Sequence, residues 1–229
     1  MNIAHANVRE RIYAFFDVDD TLISVKSMLS FQDFWYQHHQ DPEAEQSYRQ
    51  DLVNNMHDKT CWKSLNRLYY SHFCGRSVQE VTRMGKLWFE KMRAENALFY
   101  HRAVISELQA HQQAGHEAVF VSGSFPALLQ PIADELKVTT ILSTQMEVID
   151  DYYTGEILPP QTIAEGKAEA IESFLNRHQA CSGHCYAYGD DWSDLPMLET
   201  VGHPCVVAGG RGLEVQAQNR NWRIIQPDG

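Results

Sequence analysis

The sequence predicts an α/β protein in which a doubly wound parallel sheet carries an inserted α-helical bundle. Three observations support this expectation. An apolar run at residues 11–23 ends in a polar loop, and residues 27–96 then show helical periodicity without a convincing strand. From about Leu98 onward, short apolar runs alternate with helical patterns, the order that builds a parallel sheet with helices on both faces. Three of the expected strands run into polar or small residues, at "DVDDT", "SGS" and "GDDWSD". In such sheets ligands sit beyond the carboxyl ends of the strands.

The first element, "RIYAFFDVDDTLI", reads as a short buried strand ending in a polar loop. Four helices follow. "SMLSFQDFWYQHH", "PEAEQSYRQDLVNNM", "TCWKSLNRLYYSHF" and "SVQEVTRMGKLWFEKMRAEN" each place apolar or aromatic residues at helical spacing. Asp41-Pro42-Glu43 and Ser77-x-x-Glu80 supply helix entries, and Cys74-Gly75 an exit. The aromatics of this segment, Trp35, Tyr36, Trp62, Tyr69, Tyr70, Trp88 and Phe89 among them, are expected mostly in a helical core, with a few lining a substrate cavity. "AVISELQAHQQAG" then reads as a helix ending at Gly115, "HEAVFVSGS" as a strand entering a small-residue loop, and "FPALLQPIADEL" as a helix. "TTILSTQMEVIDDYYTGEI" reads as two strands with a turn at Asp150-Asp151. "GKAEAIESFLNRH" is a helix, "CYAYGDD" a strand, "SDLPMLETV" a helix and "HPCVVAG" the last core strand, after which "GLEVQAQNRNWRII" closes the chain.

Composition narrows the function. A chain of 229 residues with 44% hydrophobic and 21% charged residues has the make-up of a soluble globular protein with ample core. Its net charge of −11 argues against nucleic acid or an anionic membrane as partner, since both require a basic surface. A small phosphorylated molecule is compatible, because it feels the local field of its pocket. No apolar run approaches the ~20 residues of a membrane span, and "MNIAHANVRER" lacks the apolar core of a secretory signal. The five cysteines include one close pair, in "CSGHC" at 181–185. Zinc there would need a second ligand pair, which is missing at convincing spacing, so reduced thiols in a cytoplasmic protein are the expected state.

At the end of the first strand three carboxylates, Asp17, Asp19 and Asp20, occupy four positions. Like charges this close repel, and burying them is costly unless a cation or donor compensates. The expected topology brings Asp17, Asp19, Asp190, Asp191 and Asp194 to one sheet edge. An all-oxygen set favours Mg²⁺ over zinc, and the spacing of a Ca²⁺-binding EF-hand loop is absent. Ser122, Gly123 and Ser124 offer a hydroxyl and backbone N–H groups just before a helix begins, a ready anion site. Lys167, after Gly166, opens another helix with a fixed positive charge. Acidic cluster, metal, anion cradle and lysine together read as phosphoryl chemistry.

At these residues the chain resembles the haloacid dehalogenase superfamily. "DVDDT" is similar to its motif I (DxDxT), Ser122 in "VFVSGS" to motif II, Lys167 in "EGKAEAI" to motif III and "GDDWSD" to motif IV, in order across residues 12–225. The helical insert resembles the cap of its phosphoserine-phosphatase-like subgroup (subfamily IB). The resemblance implies a Rossmann-like catalytic core at 1–23 and 98–229, a cap at 24–97, and a Mg²⁺-dependent phosphatase acting on a small phosphate ester.

It also implies roles. Asp17 would be the nucleophile that forms an aspartyl phosphate, and Asp19 the acid and then the base. Asp17, the Asp19 carbonyl and Asp190 would hold the metal, with Asp194 ligating it or orienting through water. Ser122, the Gly123 N–H and Lys167 would hold the phosphoryl oxygens. Thr21 reads as a turn-stabilising hydroxyl, and Asp20 and Asp191 as solvated or supporting residues. Asp19 favours phosphate esters over the halide and phosphonate substrates of relatives that lack it. A phosphomutase or phosphotransferase using the same intermediate is an alternative, and a non-catalytic binding module is a more distant one. Phosphoserine phosphatases carry an acidic residue nine positions after the nucleophile that helps hold the substrate ammonium. Here that position is Lys26. A cation there would repel an ammonium group, so phosphoserine is expected to be a poor substrate, with sugar, polyol or carboxylate-bearing esters preferred.

Overall fold

A computed structural model describes residues 11–56, 61–210 and 212–227. The amino-terminal stretch 1–10, expected to lack a signal sequence, lies outside these residues, as do Thr60 and the two carboxyl-terminal positions.

Six parallel strands form the sheet, in the order β3-β2-β1-β6-β7-β8. They are β1 (Tyr13–Phe16), β2 (Glu117–Ser122), β3 (Thr140–Ser143), β6 (Tyr186–Gly189), β7 (His203–Val207) and β8 (Arg223–Ile225). A two-stranded hairpin, β4 (Gln145–Ile149) and β5 (Tyr152–Leu158), stands beside it. The helices are α1 (Ser27–His39), α2 (Pro42–Asn55), α3 (Trp62–Ser71), α4 (Val78–Glu95), α5 (Arg102–Gln113), α6 (Pro126–Leu136), α7 (Glu165–His178), α8 (Leu195–Thr200) and α9 (Leu213–Asn219). The fold is the expected Rossmann-like sheet with helices on both sides. Among the described residues no helix is long and apolar enough to cross a membrane.

The alternation of strand side chains builds two apolar layers. Ala14, Phe16 and Phe120 face one layer with α5 and α6, whereas Tyr13, Phe15, Val119 and Val121 face the other with α7, α8 and α9. The first layer runs without a break into α1–α4 through Phe31, Trp35, Tyr70, Phe73 and Trp88, so the expected aromatic bundle core is continuous with the sheet core. Local chemistry sets the helix ends. The Asp41 side chain accepts from the Ala44 N–H at 3.0 Å with Pro42 in the first turn of α2, and Ser77 Oγ accepts from the Glu80 N–H at 3.4 Å.

Two expectations need correction. The run read as one strand before the Asp150-Asp151 turn divides at Thr144 into β3 in the main sheet and β4 in the hairpin. Thr144 is buried; its N–H donates to the Ser124 carbonyl and its hydroxyl accepts from the Thr162 N–H, which diverts the chain out of the sheet. The sheet also extends past β7: "RII" pairs with "CVV" as edge strand β8.

At the amino end of the sheet, His111 lies within hydrogen-bonding distance of the Tyr188 hydroxyl (2.7 Å) and His116 Nδ1 (2.8 Å). Burial, aided by His116, pushes its pKa down to about 4. Against an unfolded value near 6.5, the folded chain binds fewer protons as pH falls. The stability tied to this group is therefore complete above about pH 6.5 and is lost on acidification toward pH 4, by up to about 3 kcal/mol. His111→Gln should flatten that dependence. Urea unfolding at pH 7 and pH 4.5 should show the gap between wild type and variant shifting by about 2 kcal/mol in favour of the variant at low pH. An unchanged gap would contradict the reading.

Candidate active site

β1 stops at Phe16 because the next residue turns polar, but Asp17 keeps the register: its N–H donates to the Tyr188 carbonyl of β6 at 2.9 Å. The chain then folds tightly on Val18, whose carbonyl accepts from Leu22 and Ile23, with Asp20 in the left-handed region (φ +60°). This turn holds both motif I aspartates at the carboxyl ends of β1, β2 and β6, where the winding of the sheet reverses.

Asp17, Asp190, Asp194 and Lys167 are all buried. Lys167, in the first turn of α7, donates to Asp17 Oδ1 at 2.5 Å and to Asp194 Oδ1 at 2.6 Å. Burial opposes its charge, but the two carboxylates more than offset that and hold its pKa above the ordinary lysine range. The other Asp194 oxygen accepts from the Asp190 and Asp191 N–H groups at 3.0 and 3.1 Å, closing the loop after β6. A side chain at position 189 would come within 2.6 Å of Asp194 Cβ, so this close return requires Gly189. Asp190 Oδ1 accepts from the Thr21 hydroxyl at 2.7 Å. That hydroxyl therefore does more than stabilise its own turn.

One carboxylate oxygen from each of Asp17, Asp190 and Asp194 lies within 4.8 Å of the others. Burial raises the Asp17 pKa well above normal, Lys167 lowers it, and the neighbouring Asp194 and Asp190 raise it further. Asp190 is pushed up to about 7 by burial and by Asp194. Burial and the closeness of like charges thus both disfavour the ionised carboxylates. Among the described residues no such grouping involves Cys181 or Cys185.

Asp19 is held differently. Its Oδ2 accepts from the Ser27 N–H at 3.1 Å and the Ser27 hydroxyl at 3.0 Å, while Oδ1 is buried without a hydrogen-bond partner. Burial lifts its pKa to about 6, against the opposing pull of the Ser27 bonds. Ser27 begins α1, so the start of the inserted helices orients this carboxyl group. Ser27 Oγ also meets Ser124 Oγ at 3.1 Å. Beyond β2, Ser122 Oγ accepts from the Ser124 N–H, and the Gly123 carbonyl accepts from Tyr70 (2.7 Å) and Asn66 (3.0 Å) on α3.

A cavity of about 150 Å³ opens onto Asp17, Asp19, Lys26, Ser122, Gly123, Lys167 and Asp190. Asp194 stands behind Lys167. A larger hollow of about 690 Å³ at the amino end of the sheet gathers none of these groups. Lys26 lines this cavity, but its Nζ pairs with Asp20 Oδ2 at 2.8 Å and both side chains are partly exposed. Burial works against its charge, and Asp20, with Asp190 and Asp19 behind it, offsets that and keeps the pKa above the usual range. Asp191 accepts from the Ser193 N–H and caps the short turn Trp192–Asp194. The sequence reading missed Ser27 and Asn66; it placed Ser124 in the anion loop and Tyr70 among the helical aromatics without their contacts to Ser27 and Gly123.

The family model for haloacid dehalogenase-like hydrolases matches residues 14–199. A Mycobacterium tuberculosis protein named a probable phosphatase is 33% identical over 95% of this chain and 76% of its own. Among solved structures, a protein of unknown function from Bordetella pertussis Tohama I superposes with a TM-score of 0.82 at 24% identity, covering 95% of this chain and 99% of that one. A substrate-bound phosphoserine phosphatase complex gives 0.69 at 16% identity, covering 96% and 95%. These two likenesses are of fold. The sequence match alone fixes the family: the chain belongs to the haloacid dehalogenase-like hydrolases, among relatives named as phosphatases.

Proposed function

We propose that the protein is a Mg²⁺-dependent phosphoric monoester hydrolase for a small phosphorylated metabolite, working through an aspartyl phosphate on Asp17. The reading rests on one juxtaposition. A buried carboxylate paired with a buried lysine faces the same small cavity as a second carboxyl group that has one oxygen unpartnered.

In the first half-reaction an Asp17 carboxylate oxygen forms a bond to phosphorus as the bond from phosphorus to the ester oxygen breaks. Asp19 protonates the departing alkoxide, a role that suits a carboxyl group lifted to about 6 by burial. In the second half-reaction Asp19, now ionised, takes a proton from water, whose oxygen attacks phosphorus and frees Asp17. The Ser122 hydroxyl, the Gly123 N–H and Lys167 hold the phosphoryl oxygens, while Asp194 keeps Lys167 in place.

The donor set suits a hard divalent cation: closely spaced, buried carboxylate oxygens whose pKa values are raised by burial and by one another. Asp17, Asp190 and the Asp19 main-chain carbonyl would hold it, with Asp194 ligating or acting through water. When bound, Mg²⁺ neutralises the repulsion between a carboxylate nucleophile and a phosphate dianion. Residues 24–97 would serve as a cap over the core formed by 1–23 and 98–229, with Ser27 coupling cap position to Asp19.

Para-nitrophenyl phosphate should be hydrolysed in the presence of Mg²⁺. EDTA should reduce the rate by more than about 10³-fold, and added Mg²⁺ should restore it. Hydrolysis that survives EDTA and dialysis would contradict the metal assignment, and absence of turnover with Mg²⁺ would contradict the function.

A further inference from the structure

We infer that the helical side of the cavity is an apolar leaving-group subsite, and that the alcohol released is neutral and mainly hydrocarbon, a short alkyl or arylalkyl group. The inference rests on the phosphatase reading and names the substrate class of that site.

The cavity has two chemically distinct walls. Its floor is polar and charged and is occupied by the phosphoryl-handling groups. The opposing wall comes from α1, α2 and α3 and presents Met28, Leu29, Leu52, Trp62, Leu65 and Tyr69. Leu29 and Trp62 are half-buried yet are not part of the apolar core that takes up most of the aromatics of these helices. Their exposed faces line the cavity instead.

Apart from the Tyr69 hydroxyl, which is buried without a partner, the described polar groups on that wall are already engaged. Asn66 donates from Nδ2 to the Gly123 carbonyl at 3.0 Å and accepts at Oδ1 from Gln161 Nε2 at 2.8 Å. Lys26, at the rim, is paired with Asp20. A sugar, a polyol or the amino and carboxylate groups of serine would surrender water at several polar groups on entering and meet hydrocarbon with the Tyr69 hydroxyl alone to replace it. A hydrocarbon group gains from the same transfer, roughly threefold to fourfold in binding for each methylene buried. The wall thus sets aside the sugar, polyol or carboxylate preference expected from Lys26 alone, and keeps the expectation that phosphoserine is poor. At about 150 Å³ the space admits a compact group.

The test compares kcat/KM, on the full chain with Mg²⁺, for pentyl phosphate, benzyl phosphate, glycerol 1-phosphate, a hexose 6-phosphate and phosphoserine. Para-nitrophenyl phosphate serves as the control for activity itself. Pentyl and benzyl phosphate should exceed every polar ester by about 10-fold or more, chiefly through lower KM. Trp62→Ala, and separately Leu29→Gln, should narrow that ratio by raising KM for the apolar esters. Turnover of para-nitrophenyl phosphate with polar esters ahead of pentyl and benzyl phosphate would overturn the subsite and leave the phosphatase intact. So would an unchanged ratio in both folded variants. No turnover of any ester would overturn the phosphatase reading and the subsite together.

Discussion

Asp17→Asn protein should be folded and inactive. Turnover of any ester should fall by at least about 10⁴-fold, because an amide neither attacks phosphorus nor regenerates as a leaving group. Folding should be preserved or slightly improved. Asp17 is a buried carboxylate whose charged form is disfavoured by burial and by Asp194 and Asp190, and a neutral amide removes that repulsion. Lys167 keeps Asp194 as its partner, so no buried charge is orphaned. Steady-state kinetics on purified variant, together with its urea midpoint, check both halves. More than a trace of activity in pure variant, or a large drop in midpoint, would contradict the account.

The second large effect should depend on the leaving group. Asp19→Asn retains an oxygen that can accept both bonds from Ser27, so its orientation survives and only its proton chemistry is lost. Alkyl phosphates, whose alkoxide must be protonated on departure, should slow by about 10²–10⁴-fold. Para-nitrophenyl phosphate, whose phenolate leaves unaided, should slow much less in the step that releases nitrophenol. Because breakdown of the phosphoenzyme also uses Asp19, the comparison belongs in the pre-steady state, where the nitrophenol burst isolates the first step. Equal losses in that step for both ester types would mean that Asp19 acts mainly by position.

The legibility of this protein follows the range of its interactions. Three of the four motifs were readable because each is local: a run of apolar residues ends, and the polar residues that follow must lie at a strand tip; Lys167 was readable only as a charge at the start of a helix. The inserted helices were readable to within a residue or two, since Asp41 and Ser77 cap their own next turn. Contacts that span the fold were not readable. Ser27 orients Asp19 only once α1 is placed over the core, and Tyr70 and Asn66 reach Gly123 across 53 and 57 residues of sequence. Thr21 could be assigned a local turn role from its neighbours, but its partner, Asp190, lies 169 positions away. The same limit hid the pairing of Lys26 with Asp20, since a sequence shows two charges near one another without showing that they meet. Strand division at Thr144 was missed because a β-rich run looks continuous, and its break depends on backbone partners at Ser124 and Thr162.

The central claim is that phosphorus changes partners twice, first to Asp17 and then to water. The stereochemistry at phosphorus tests this without requiring the intermediate to accumulate. A thiophosphate monoester made chiral with two oxygen isotopes and hydrolysed in water carrying the third should give inorganic thiophosphate with net retention, because each in-line displacement inverts the centre and two restore it. Net inversion would mean a single direct displacement and would contradict the role assigned to Asp17.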